Sequence, residues 1–152
     1  MQRTAVNITR FTSAHRLTGV GHSRRIMSKN YLSKNDELRR GDYLMSKNEQ
    51  WKAIFQDDGN FVLYGWKSVW DSGTYGTGGF RLNMQADSNL VIYNKSDKPM
   101  WDTDTFVPMP RPPHHGHRKD CHLELTDDGE LDLYRGSDKV WSSATSKGVK
   151  RN

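Results

Sequence analysis

Along this chain apolar and polar residues alternate over short runs. Phe61 and Leu63 set against Val62 and Tyr64, then Leu90 and Ile92 set against Val91 and Tyr93, repeat with a period of two, and no segment holds a period near 3.6 for long. Such runs read as short β-strands. Asp58-Gly59 and Asp128-Gly129 fall where the strands must reverse, a strong local sign of a hairpin.

The pattern occurs three times, in residues 55–74, 84–105 and 125–145. Each unit runs from a turn through an alternating strand to a Tyr, then a polar link, a Trp and a Ser/Thr-rich close. Units this short cannot bury their own faces, so they are expected to share one core. The sequence therefore predicts an all-β fold of three small sheets about a common axis, with Trp70, Trp101 and Trp141 meeting inside. Tyr64, Tyr93 and Tyr134 are unequally spaced because an insertion, 108–119, precedes the third unit. Its prolines and histidines cannot sustain a strand ladder, and an exposed loop is expected there.

A length of 152 residues suits one domain. The net charge of +5 could suggest a nucleic-acid or membrane partner, but it resides in the five arginines of residues 1–26, a stretch without acidic residues. From Met27 onward the charges balance, which makes a poor binder of phosphate backbones. Residues 1–26 could be a mitochondrial presequence or an unstructured extension, and the second is favoured. They contain no apolar run of the length a secretory signal needs, and no run in the chain approaches a membrane span. Residues 147–152 read as a basic tail. The single cysteine, Cys121, excludes an internal disulfide, although it could bridge two chains.

The repeated element is Gln-x-Asp-x-Asn-x-Val-x-Tyr, present once as Gln56, Asp58, Asn60, Val62 and Tyr64 and again as Gln85, Asp87, Asn89, Val91 and Tyr93. On a straight strand these residues would span about 26 Å, too far for one small ligand. A hairpin at the Asp would instead bring the Gln and the Tyr together on adjacent strands. A carboxylate, two amides and a phenol can then match the donors and acceptors of neighbouring sugar hydroxyls, while Val offers an apolar patch to ring carbons. Such a shallow site would hold a monosaccharide with a dissociation constant on the order of millimolar, so useful binding would depend on several sites acting together.

Other residues admit sharper readings that the sequence does not favour. Asp57 with Asp58, or Asp127 with Asp128, stand side by side in turns, whereas a glycosidase pair must flank a cleft; no enzymatic activity is expected. His114, His115, His117, Cys121 and His122 match no standard metal spacing, so no metal or other cofactor is expected. Asn7-Ile8-Thr9 and Asn94-Lys95-Ser96 match the glycosylation pattern, which matters only on a secretory route.

The twice-repeated motif with its trailing Trp resembles the bulb-type (B-type, monocot) mannose-binding lectin family, and residues 27–104 resemble in particular the lily-type lectins of fish skin mucus. The resemblance covers residues 27–146. It implies a β-prism of three four-stranded antiparallel sheets around a pseudo-threefold axis, metal-independent binding of mannose-containing glycans by the ten motif residues, a homodimer formed by exchange of C-terminal strands, and innate defence at mucosal surfaces. An extracellular place would follow from the resemblance, and a cytoplasmic one remains open without a signal segment.

Three departures stand out. In the third unit the motif positions read Thr126, Asp128, Glu130, Asp132 and Tyr134, and no mannose binding is expected there. The positions matching a disulfide that plant members usually carry are Gly59 and Phe80. The insertion at 108–119 is also longer than the family's usual connection. The alternative function is a prism that binds a protein partner and no sugar.

Overall fold

A computed structural model describes residues 29–108 and 120–151 of the chain. The first 26 residues and most of the 108–119 insertion, with His114, His115 and His117, lie outside the described residues. Among those described, all regular structure is β, in three antiparallel sheets.

Each repeat supplies three consecutive strands to one sheet. The first contributes β4 (Lys52–Phe55), β5 (Phe61–Tyr64) and β6 (Ser68–Asp71); the second contributes β7 (Gly79–Met84), β8 (Leu90–Asn94) and β9 (Pro99–Asp102). The third contributes β10 (Cys121–Leu125), β11 (Leu131–Arg135) and β12 (Asp138–Ser142). The remaining strand of each sheet comes from the residues before the first repeat. Strands β1 (Tyr31–Ser33), β2 (Glu37–Arg39) and β3 (Tyr43–Met45) are three residues each, and they pair with β10, β7 and β4 respectively. Their central residues Leu32, Leu38 and Leu44 are buried in the common core. One short ribbon thus visits all three sheets and ties them together.

Alternation decides which face each residue takes. Phe61 and Leu63 on β5, Leu90 and Ile92 on β8, and Leu131 and Leu133 on β11 point inward and are fully buried. At the centre, Trp70, Trp101 and Trp141 meet edge to face with ring centroids 6.1, 5.8 and 6.3 Å apart, the arrangement that brings positive ring edges onto negative ring faces. The Trp70 indole N–H donates to the Ser146 carbonyl and that of Trp101 to the Lys147 carbonyl.

The second of these carbonyls belongs to the segment expected as a basic tail, residues 147–152, which is instead ordered through Arg151. Its strand β13 (Val149–Lys150) pairs with β9, so the second sheet has five strands where four were expected. Arg151 fastens its end, with Nε 2.5 Å and Nη2 2.8 Å from the carboxylate of buried Asp102, and Nη2 2.9 Å from Asp104. These bonds to carboxylates raise the Arg151 pKa above its usual value.

Two further expectations meet the fold. Cys121 is 2% exposed, with Sγ 3.2 Å from the Gln85 carbonyl, and is too deeply packed to reach a second chain. Beside the pair expected to match the plant disulfide, Gly59 and Phe80, it is Gly59 and Gly79 that bring their backbones together. A Cβ on Gly59 would lie 2.8 Å from the Gly79 carbonyl oxygen, so the first two repeats join there by close main-chain approach.

Candidate functional site

The motif residues sit on the outer faces of the β4–β5 and β7–β8 hairpins. In the first, Gln56 N–H donates to the Asn60 carbonyl and Gly59 N–H to the Gln56 carbonyl, closing a tight reversal. Asp58 stabilises it from the side, its Oδ1 accepting the Asn60 N–H at 2.8 Å, as Asp side chains do in turns. The second hairpin closes alike, with Asp87 Oδ1 2.9 Å from the Asn89 N–H. In each repeat the ladder carries a register shift just before the tyrosine, after Leu63, Ile92 and Leu133. Bulges of this kind re-aim side chains beside a site.

The folded-back geometry brings the ends of each motif together. Gln56 Nε2 donates to the Tyr64 hydroxyl at 2.7 Å, and Gln85 Nε2 donates to the Tyr93 hydroxyl. With one of the two amide N–H groups committed, Gln Oε1 remains as an acceptor and the phenol proton can turn outward. Arg81 stacks on the Tyr93 ring at 4.3 Å and is itself held by Asp97.

The asparagines are oriented by residues that the motif does not contain. Asn60 Oδ1 accepts from Ser72 Oγ at 2.9 Å and from the Thr74 N–H at 3.1 Å. Asn89 Oδ1 accepts from Thr103 Oγ1 at 3.0 Å and from the Thr105 N–H at 3.2 Å. A backbone N–H can only donate, so the amide oxygen must face it and Nδ2 must face outward. The Ser/Thr-rich close of each repeat was visible in the sequence, and this is its task. It is the part of the site that the motif alone missed.

Val62 and Val91 lie on the same face but are only 3% exposed, so they form the floor of each site and offer less open surface than the sequence suggested. Asp58 is exposed and Asp87 half-buried, leaving the first site the more open of the two. Each hairpin therefore presents an amide acceptor, a carboxylate, an amide donor and a hydroxyl over a small apolar floor.

The third repeat keeps the hairpin and loses this array. Thr126 Oγ1 accepts the Glu130 N–H, and the Tyr134 ring stacks on His122 with centroids 5.2 Å apart. Asp132, at the valine position, is 2% exposed and pairs with Lys139 at 2.6 Å, a bond that raises the lysine pKa. A lysine side chain thus lies across the ground that the other repeats leave open. No group of three or more potential metal ligands occurs among the described residues.

A three-sheet prism whose outer hairpins carry paired amides, a carboxylate and a phenol is the architecture of a carbohydrate-binding protein. The chain is 50% identical over 121 residues to the B-type lectin plumieribetin of Scorpaena plumieri, an alignment covering 80% of this chain and 100% of that one. It is 36% identical over 94 residues to mannose-specific lectin 2 of Colocasia esculenta, covering 61% of this chain and 30% of that one. Among solved structures, a monomeric monocot mannose-binding lectin from Gastrodia elata superimposes with a TM-score of 0.65 at 30% identity, over 78% of this chain and 99% of that one. The snowdrop (Galanthus nivalis) mannose-specific agglutinin, solved with methyl-α-D-mannoside, gives 0.59 at 32% identity, over 79% and 100%. No family model matches the chain. The chain belongs to the B-type, bulb-type mannose-binding lectin family, with its β-prism fold, and is a lectin and not an enzyme.

Proposed function

We propose that this protein binds mannose-containing glycans through two sites, Gln56, Asp58, Asn60, Val62 and Tyr64 in one and Gln85, Asp87, Asn89, Val91 and Tyr93 in the other. The observation that carries the reading is the matched pair of Gln–Tyr bonds with inward-facing Asn Oδ1, which leaves the same donors and acceptors outward on both hairpins. Adjacent equatorial and axial hydroxyls of a hexose need such mixed partners, and no metal is required to supply them. The third repeat, with Lys139 across its face, binds no mannose. The lectin domain takes in residues 27–146 together with the C-terminal strand β13.

Each site alone is weak, and function at a glycan-coated surface rests on avidity. Exchange of the C-terminal strand between two copies would preserve every contact that β13 makes here and double the sites, which supports a homodimer. Glycans of this class cover microbial and mucosal surfaces, so we place the protein outside the cell, in innate defence.

The test is retention on immobilised mannan, with and without a chelator. Wild-type protein should bind in both conditions and elute with free mannose, and Asn60→Ala with Asn89→Ala should pass through while keeping its β fold by circular dichroism, at a lower melting temperature because Thr74 and Thr105 lose their acceptors. Wild-type protein that passes straight through the column would overturn the lectin reading in favour of a protein-binding prism.

A further inference from the structure

Each intact repeat ends in a loop that returns to its own motif, and each loop carries one exposed aromatic ring. In the first repeat Thr74 bonds Asn60, and Gly76 donates its N–H to the Asp58 carbonyl at 3.2 Å. Tyr75, between them, is 74% exposed. In the second repeat Thr105 bonds Asn89, and Val107 donates its N–H to the Asp87 carbonyl at 3.0 Å. Phe106, between them, is 58% exposed. The path from a Cα through its carbonyl carbon to the next nitrogen is about 2.9 Å, so each aromatic Cα lies within about 6 Å of the motif carbonyl.

The third repeat provides the control. Ser143 there bonds the Leu131 backbone as Ser72 bonds Phe61 and Thr103 bonds Leu90. Counting onward from those three residues, the position of Tyr75 and Phe106 is taken by Ser146. The ring is present beside the two complete motifs and absent beside the incomplete one.

Neither ring belongs to the core, and leaving apolar area in water has a cost. Both are nevertheless on fastened backbone. The Thr77 N–H and hydroxyl both donate to the Thr74 carbonyl, and Arg135 Nη2 donates to the Thr105 carbonyl at 2.8 Å. A ring on a fixed loop loses little freedom when a ligand lands on it.

We propose that Tyr75 and Phe106 are platforms for a second sugar residue, next to the pyranose gripped by the motif, so that each site recognises a disaccharide of an α-linked mannose chain. This rests on the mannose reading above. One face of a pyranose is a patch of C–H groups, which covers an aromatic face and meets its negative quadrupole. The platform should be worth about 3- to 10-fold in affinity.

The full chain is titrated calorimetrically with methyl α-D-mannopyranoside and with α1→2-, α1→3- and α1→6-linked mannobiosides. At least one mannobioside should bind wild-type protein about 3- to 10-fold tighter than the monosaccharide. In Tyr75→Ser with Phe106→Ser, serine being the third repeat's residue, that advantage should vanish while monosaccharide affinity holds. Saturation of the aromatic protons of wild-type protein should transfer to the second sugar ring, an independent readout that needs no variant. Equal binding of all four ligands by wild-type protein, retention of the advantage in the variant, or parallel loss of monosaccharide binding would each overturn the platform. Wild-type protein that binds none of the four would remove the mannose reading itself, and the platform with it.

Discussion

Gln56 Nε2 and the Tyr64 hydroxyl stand 2.7 Å apart across the first hairpin, although eight positions separate the two residues in the chain. The bond fixes which polar atoms the site shows to solvent, since it commits one amide N–H and frees the phenol proton. Removing that hydroxyl by Tyr64→Phe, in an Asn89→Ala background that silences the second site, should weaken mannoside binding by about 2- to 12-fold, the worth of a net hydrogen bond. The melting temperature should barely move. Calorimetric titration checks the first and a thermal scan the second.

Gly59→Ala probes the join between the first two repeats. The new Cβ would meet the Gly79 backbone at 2.8 Å, and φ at this residue is +82°, where any side chain is strained. Loss of about 2 to 3 kcal/mol is expected from urea unfolding. A neutral result would mean that the two backbones are not in contact.

Arg151→Ala should release the C-terminal strand. It leaves the carboxylate of Asp102, whose side chain is 6% exposed, without its main partner. A loss of about 1 to 3 kcal/mol is expected, discounted because the arginine itself is partly in water. Trypsin should then cut after Lys147 or Lys150 faster than in the wild type, as mass spectrometry would record.

Thr126→Gln, Glu130→Asn and Asp132→Val together should rebuild the third motif. Ser143 and Thr145 already stand where the Asn-orienting residues stand in the other repeats. Titration with methyl α-D-mannopyranoside should move from two sites per chain toward three. A count that stays at two would show that Lys139, or the His122 ring stacked on Tyr134, still bars the sugar.

How much of this was legible in the sequence depended on how locally each feature is written. The three hairpins, the Trp cluster and the convergence of Gln with Tyr follow from a period of two and a turn, and all of them act over a few residues. The second turn was harder, because Ser88 takes a φ of +71° where Gly59 and Gly129 take +82° and +81°. A serine there costs about 1 kcal/mol, and bonds from Arg135 and Thr105 to Ser88 offset it, but neither partner is near in the chain. The strands β1, β2 and β3 were hidden for a different reason. Each shows a single inward leucine, and only the even spacing of Leu32, Leu38 and Leu44 marks them. Residues 147–152 read as a tail because their basic side chains give no sign of the two carboxylates, Asp102 and Asp104, that Arg151 meets.

The leading ribbon also orders events in time. Leu32 takes its place opposite Leu123, and Leu38 opposite Leu82, so β1 is completed by the third repeat and β2 by the second. During synthesis the first of them must wait for most of the chain to emerge, and contacts of such long range make folding slow. A ribosome-bound fragment ending before the third repeat would carry β1 without its partner β10, so the first of the described strands is claimed only late in synthesis.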